Sequence, residues 1–259
     1  MDKLKTKYCR KEYTILPLER NLGFSKANNI GYSFIRSNYK DIDFLFVCNS
    51  DVEFFQTDFM DEIIATYDDK KFDILGPDIF APSCIDKPYR GHQSPAYPWE
   101  AAALYVKYSI LLQSQYLNNK KCKLSTKICC KFFSLIENIF IRTIYKNWRL
   151  RCRIGTPIQG SCIILSRNFI NRENALFYPE TKFYYEELLL YLRVRREGYV
   201  SVYNPKLRVI HRQGRASQKK SEIEKDTMWQ NVYLIESGRM YLKALKEFKE
   251  MIFETEKLH

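Results

Sequence analysis

FLFVCNSDVEFF, residues 44–55, decides the fold: an apolar run, a short polar turn holding one acid, Asp51, and a second apolar run. Five consecutive apolar residues at 44–48 read as a strand covered on both faces. Asp51 then stands beyond the carboxyl end of that strand, where ligands sit in open α/β sheets. In isolation Asn49-Ser50-Asp51 is accounted for by an Asx turn. A lone strand-end carboxylate also suits a hard divalent cation that completes its shell with substrate phosphates.

Outward from this turn, strand and helix patterns alternate. YTILPLE (13–19) reads as a strand, and NLGFSKANNIGYSFIRSNY (21–39) as a helix with Ser25 as N-cap and Ala27, Ile30, Phe34 and Ile35 on one face. FMDEIIATYDD (59–69) is an amphipathic helix, and FDILGPDIF (72–80) a strand broken at Gly76-Pro77. GTPIQGSCIILS (155–166) returns to strand. In KFYYEELLLYLRVRREGY (182–199) a helix runs from about Glu186 to a stop at Gly198. VSVYNPKLRVIH (200–211) supplies two short strands around an Asn-Pro turn, and 221–256 a C-terminal helix. The pattern predicts an α/β fold, a Rossmann-like and mostly parallel sheet flanked by helices. Residues 1–220 form one domain carrying a helical insert at about 100–153, with 221–259 packed on the same domain.

A chain of 259 residues, 46% hydrophobic and 15% aromatic, buries a sizeable core, which excludes an intrinsically disordered class. The eight cysteines, at 9, 48, 84, 122, 129, 130, 152 and 162, form no CxxC pair, and a reduced, cytoplasmic setting is expected. MDKLKTKYCRKEY has no apolar core of a secretory leader, and no apolar run reaches the length of a membrane span. The net charge of +12 is concentrated: between Lys107 and Arg153 stand eleven Lys or Arg against one acid, Glu137.

Two further places gather polar groups at the ends of apolar elements. Glu186-Glu187 follows three aromatics at a helix start. The helix dipole stabilises such a pair, or aromatic surroundings raise one carboxyl toward the pKa of a general base. His211 closes the strand LRVIH, either as a structural side chain or as a neutral metal ligand. Arg212, Arg215 and Ser217 follow it and suit a phosphate.

In order along the chain, ERNLGFSKANNIGY, FLFVCNSDVEF, PIQGSCIILSRNFI, FYYEELLLYLRVRREGY and YNPKLRVIHRQGRAS resemble the family 2 glycosyltransferases. FDILGPDIF followed by GHQSP adds to the likeness, and the nearest branch is the bacterial rhamnosyltransferase-like enzymes of polysaccharide biosynthesis. The resemblance implies a GT-A fold, a nucleotide-diphosphate-sugar donor, a divalent cation (Mg²⁺ or Mn²⁺) and inverting transfer to a glycan or lipid-linked acceptor. It implies Glu187 as catalytic base, where the family usually has the Asp of a Glu-Asp pair. Asp51 and His211 become metal ligands, with Asn21, Gly23, Asn28, Asn29, Asn49 and Asp51 on the donor side. Gly160, Ser161 and Glu186 fall on the acceptor side. Asn49 replaces the first acid of the usual DxD, and Leu189 stands where a further acid is usual. Nothing before Tyr13 matches the family's N-terminal nucleotide-binding strands, so an incomplete sheet is expected. The alternative to an active enzyme is a catalytically inactive remnant or interaction module.

In the basic insert, Ile128, Phe132, Leu135, Ile136, Ile139 and Phe140 follow one helical face, opposite Lys127, Lys131, Arg142 and Lys146. Such a stripe fits an anionic membrane surface, here the inner face of the plasma membrane, or packing against the sheet. Nucleic acid is the least favoured partner.

Overall fold

A computed structural model of the chain describes residues 14–81, 99–117, 150–212 and 227–257. The helices are α1 (Phe24–Asn38), α2 (Phe59–Lys70), α3 (Trp99–Leu117), α4 (Arg167–Arg172), α5 (Glu186–Arg196) and α6 (Thr227–Lys257). The strands are β1 (Phe44–Cys48), β2 (Val52–Phe54), β3 (Ile74–Phe80), β4 (Arg153–Ile154), β5 (Cys162–Ser166) and β6 (Ser201–His211). The GHQSP segment, the stripe at 128–140, Arg215 and Ser217 lie outside the described residues.

The fold is mixed α/β, with the strand order β1-β5-β3-β6-β2 and β4 added to β6. Among the described strands only β3 and β6 pair in parallel. The pairs β1–β5, β5–β3, β6–β2 and β6–β4 are antiparallel, which corrects the expected mostly parallel sheet. An apolar run marks a strand covered on both faces but carries no information about its direction. β5 enters between β1 and β3 antiparallel to both, and that choice is invisible in its own residues.

β1 and β2 end opposite sides of this order, yet only Asn49, Ser50 and Asp51 separate them. Four peptide steps span at most about 14 Å. The sheet therefore curls until its two outer strands meet at the polar turn.

Alternation along the strands divides the core in two. Leu45, Val47, Ile163 and Leu165 face a cluster closed by Tyr32 of α1, Phe169 of α4 and Leu190 and Val194 of α5. Phe44, Phe46, Cys48, Cys162 and Ile164 face the other side, closed by Phe59 and Ile63 of α2. A third cluster joins Val106 of α3, Leu189 and Leu192 of α5, and Tyr241, Leu245 and Phe248 of α6. Each such side chain, fully buried, contributes about 1.5–3 kcal/mol. α5 is thus apolar on two sides and ties α6 to the sheet.

Several local expectations are corrected. Thr14–Glu19 are exposed and form no strand; a strand needs a neighbour for its backbone groups, and no described strand lies alongside. The N-cap of α1 is Gly23, while Ser25 is buried inside the first turn. β3 runs unbroken through Gly76-Pro77, and the irregularity falls in its register with β6 between Pro77 and Asp78. β6 is one strand through Asn204-Pro205. There the Asn204 side chain donates to Thr66 and Glu62 and accepts the Lys206 N–H at 3.0 Å, so a proline is tolerated inside the strand.

Gly23 holds φ 87°, ψ 174°, a region essentially confined to glycine. A Cβ there would run into the backbone of Lys182. The next residue, Phe24, donates its N–H to the Lys182 carbonyl at 2.7 Å, so the contact cannot open without losing that bond. Gly23→Ala is expected to cost about 2–4 kcal/mol by urea unfolding. A cost below about 0.5 kcal/mol, normal for a surface change, would show that the close approach is not needed.

Candidate functional site

The Asn49–Asp51 turn is tied to both outer strands' neighbours. Asn49 N–H donates to the Ser161 carbonyl at 3.0 Å, Val52 N–H to the Asn49 carbonyl at 3.2 Å, and Arg212 N–H to the Asp51 carbonyl at 3.0 Å. The antiparallel register sets Val52 opposite His211, which brings the imidazole back over the turn. His211 Nε2 lies 3.1 Å from Asp51 Oδ1 and 3.3 Å from Asn49 Nδ2. Both ionisable side chains are nearly covered, with 10% exposure for Asp51 and 11% for His211.

One ring nitrogen thus faces an acceptor and a donor together. With its proton on Nε2 the ring satisfies Asp51; with the proton on Nδ1 it accepts from Asn49 instead. A cation held by the carboxylate and a neutral imidazole would take the Nε2 lone pair, with the Asn49 amide turned so that its oxygen faces the site. Among the described residues no group of three or more His, Cys, Asp or Glu gathers into a metal cage. Two protein ligands suit a cation of the Mg²⁺ class, which takes substrate phosphates and waters for the rest. The residues present fit that group.

Glu186 and Glu187 open α5 behind an unusual backbone. Tyr184 (φ 73°) and Tyr185 (φ 67°) are both left-handed, a conformation that costs about 1–2 kcal/mol per non-glycine residue. α6 holds the segment in place. Ser237 Oγ donates to the Phe183 carbonyl at 2.7 Å, Lys182 Nζ to Tyr233 Oη at 2.7 Å, and Tyr185 stacks on Tyr241 at 6.4 Å. Glu186 is only 6% exposed and its Oε1 has no partner. Burial, then the neighbouring Glu187 charge, pushes its carboxyl up to about 7, against weaker help from the Thr181 hydroxyl and backbone N–H groups. Glu187 is half-buried, and burial raises its carboxyl above the ordinary value.

Asn21, Asn28 and Asn29, expected on the donor side, make hydrogen bonds within the protein. Asn21 Oδ1 accepts the Gly23 N–H at 2.9 Å. Asn28 Nδ2 donates to the Phe24 carbonyl at 2.8 Å, within its own helix. Asn29 bridges to the far segment: its amide donates to the Phe177 carbonyl and to Glu180 Oε1, and accepts the Phe177 N–H. α1 is thereby fastened to 177–182. Ser25 Oγ completes the seam with Thr181 Oγ1 at 3.1 Å.

Gly160 packs under Phe24, whose Cζ would lie 3.5 Å from an added Cβ. Ser161 is buried; its carbonyl takes the Asn49 N–H while its hydroxyl has no partner. Contacts therefore run from Asp51 and His211 through Asn49, Ser161, Gly160 and Phe24 to Lys182, and from Ser25 through Thr181 to Glu186. The path touches five of the sequence blocks; it includes neither FDILGPDIF nor Glu187. Sequence reasoning missed Ser25 and Thr181 as links, Ser237 as a clamp and the two left-handed tyrosines. Long-range side-chain pairs and non-glycine left-handed residues leave no local periodicity to read.

No family model, curated protein or solved structure matches the chain. Among the described residues no helix is long and apolar enough to cross a membrane.

Proposed function

We propose that the chain is an inverting glycosyltransferase of family 2 and GT-A type. It would move a sugar from a nucleotide-diphosphate donor to a glycan or lipid-linked acceptor in surface-polysaccharide biosynthesis. The observation that supports the reading is that Asp51 and His211 are connected through Asn49, Ser161, Gly160 and Phe24 to Lys182, in the segment that leads into buried Glu186 and half-buried Glu187.

The chemistry asked of the chain is modest. Glu187, half-buried with a raised pKa, takes the proton of the acceptor hydroxyl as that oxygen bonds to the anomeric carbon. The bond from that carbon to the diphosphate breaks in the same displacement, and its electron pair leaves with the diphosphate. Asp51 and His211 would hold a Mg²⁺ or Mn²⁺ ion, which would supply positive charge for the leaving diphosphate. Glu186 retains its proton up to about pH 7. It therefore adds little negative charge beside Glu187 when the base works.

Calorimetric titration with UDP, GDP and dTDP, each with and without Mn²⁺, tests the reading. One of the three is expected to bind in a Mn²⁺-dependent manner, and Asp51→Ala to weaken it by more than about tenfold, the loss typical of even outer partners of a metal. Binding that ignores both Mn²⁺ and the substitution would remove Asp51 from the site.

One observation favours the second reading, an interaction module. Ile15, Leu16 and Leu18 are exposed, and the apolar β1 is only half-buried at one end of the strand order. Such edges accept strands from other polypeptides. Absence of heat with all three nucleotides would favour this reading over the enzyme.

A further inference from the structure

Cys48 and Cys162 stand opposite each other on β1 and β5. The bond from Asn49 N–H to the Ser161 carbonyl, in the same register, makes 49/161 a hydrogen-bonded position. The alternation of antiparallel ladders then makes 48/162 a non-hydrogen-bonded pair, with Cα atoms about 4.5 Å apart. That spacing is inside the range a disulfide spans. Both side chains point into the cluster closed by α2, and their sulfurs are already hydrogen-bonded at 3.4 Å. Cys162 is fully buried; Cys48 is half-buried and is the one an oxidant can reach.

We propose that Cys48 and Cys162 are a reversible thiol–disulfide site that locks β1 to β5 directly beneath the Asn49–Asp51 turn. The hydrogen bond shared with Cys162 lowers the Cys48 thiol below its ordinary value against the opposing effect of burial, while the Cys162 thiol is raised by the bond and by burial. Cys48 is therefore the attacking sulfur. The oxidant is a hydroperoxide, small enough for a half-buried site. The Cys48 thiolate attacks one peroxide oxygen, the O–O bond breaks, and a sulfenic acid and one water form when the oxidant is hydrogen peroxide. Cys162 sulfur then bonds to Cys48 sulfur and expels the hydroxyl, which leaves as a second water with the Cys162 proton. Two thiols lose two electrons and two protons, and the peroxide gains both.

Closure requires side-chain rotation about β1 and β5 but no change of register. It ties together two strands whose pairing positions Asn49, and through the turn Asp51, so the device controls how freely the turn opens. It stands on the strand geometry alone and does not depend on the proposed transfer reaction.

The experiment uses the full chain, reduced, then treated with one equivalent of hydrogen peroxide. Remaining thiols are alkylated and the protein is digested without reductant. The expected result is a linked peptide pair containing Cys48 and Cys162, about 2 Da lighter than the sum of the reduced peptides and reversed by dithiothreitol. It should be absent from Cys162→Ser. In the oxidised wild-type chain, hydrogen exchange at the Asn49 amide should slow by about tenfold or more, as expected when local opening is suppressed. Recovery of Cys48 and Cys162 as alkylated thiols, or of Cys48 as sulfinic acid or joined to another cysteine, would overturn the proposal. The wild-type digest decides the matter even where the variant fails to fold.

Discussion

Glu187→Gln is expected to lower sugar transfer by about 10²- to 10⁴-fold, the usual contribution of a positioned general base. The substitution keeps the volume and the half-buried setting but removes the carboxylate that the proposed mechanism uses to accept a proton. Glu186 cannot replace it. It is 6% exposed, and a base must touch an acceptor that arrives from solvent. The loss should therefore appear in kcat, with donor binding at the Asp51 and His211 end unchanged, because an interaction needed only in the transition state is removed. Retention of more than about half the wild-type rate, well outside that range, would take the base assignment away from Glu187.

Glu186→Gln is expected to stabilise the fold above neutral pH and to leave its acid stability little changed. The folded-state carboxyl of Glu186 is pushed up to about 7 by burial and the Glu187 charge, while in the unfolded chain it titrates at about 4.3. Below the unfolded value both states hold the proton, and Glu186 imposes no penalty. As pH rises, the unfolded chain ionises first and the native state loses stability. The loss levels off above about pH 7, at roughly 4 kcal/mol on the scale of 1.36 kcal/mol per pH unit. Gln carries no ionisable proton, so the difference between variant and wild type should grow between pH 4 and 7 and then stay constant. Urea unfolding at pH 4, 6 and 8 reads it. A difference independent of pH would mean that Glu186 titrates alike in the folded and the unfolded chain. The strain at Tyr184 and Tyr185 acts in the same direction, since both features weaken the fold at the place where the carboxylates stand.

Much of the fold was legible because the signal was local. The apolar spacing at 24–38, 59–70 and 186–196 places helices at α1, α2 and α5, and FLFVC is β1. The failures share a cause. YTILPLE has strand-forming residues, but a strand is a property of two chains, and no described partner takes its backbone groups. Gly76-Pro77 and Asn204-Pro205 look like breaks, yet β3 absorbs the first as a register shift and Asn204 supplies the bonds that let β6 continue. Asn28 and Asn29 read as donor-side residues, and the tertiary structure adds that their amides also bond within the protein. An asparagine's chemistry is the same for both tasks, so its type could not choose between them.

By itself the sequence determined which segments are apolar, which period they follow and which polar residues close them: Asp51, Glu186, Glu187 and His211. These follow from residues within about a dozen positions of one another, where helix and strand periodicity operate. The tertiary structure alone decided strand direction, the closing of the sheet at the Asn49–Asp51 turn and the pairing of Asp51 with His211. It also decided the meeting of Cys48 with Cys162, of Ser25 with Thr181, and the burial that raises the Glu186 carboxyl. Each of these depends on groups brought together from distant parts of the chain or on the solvent their packing excludes. Local pattern records how much a residue is buried, but not what it is buried against.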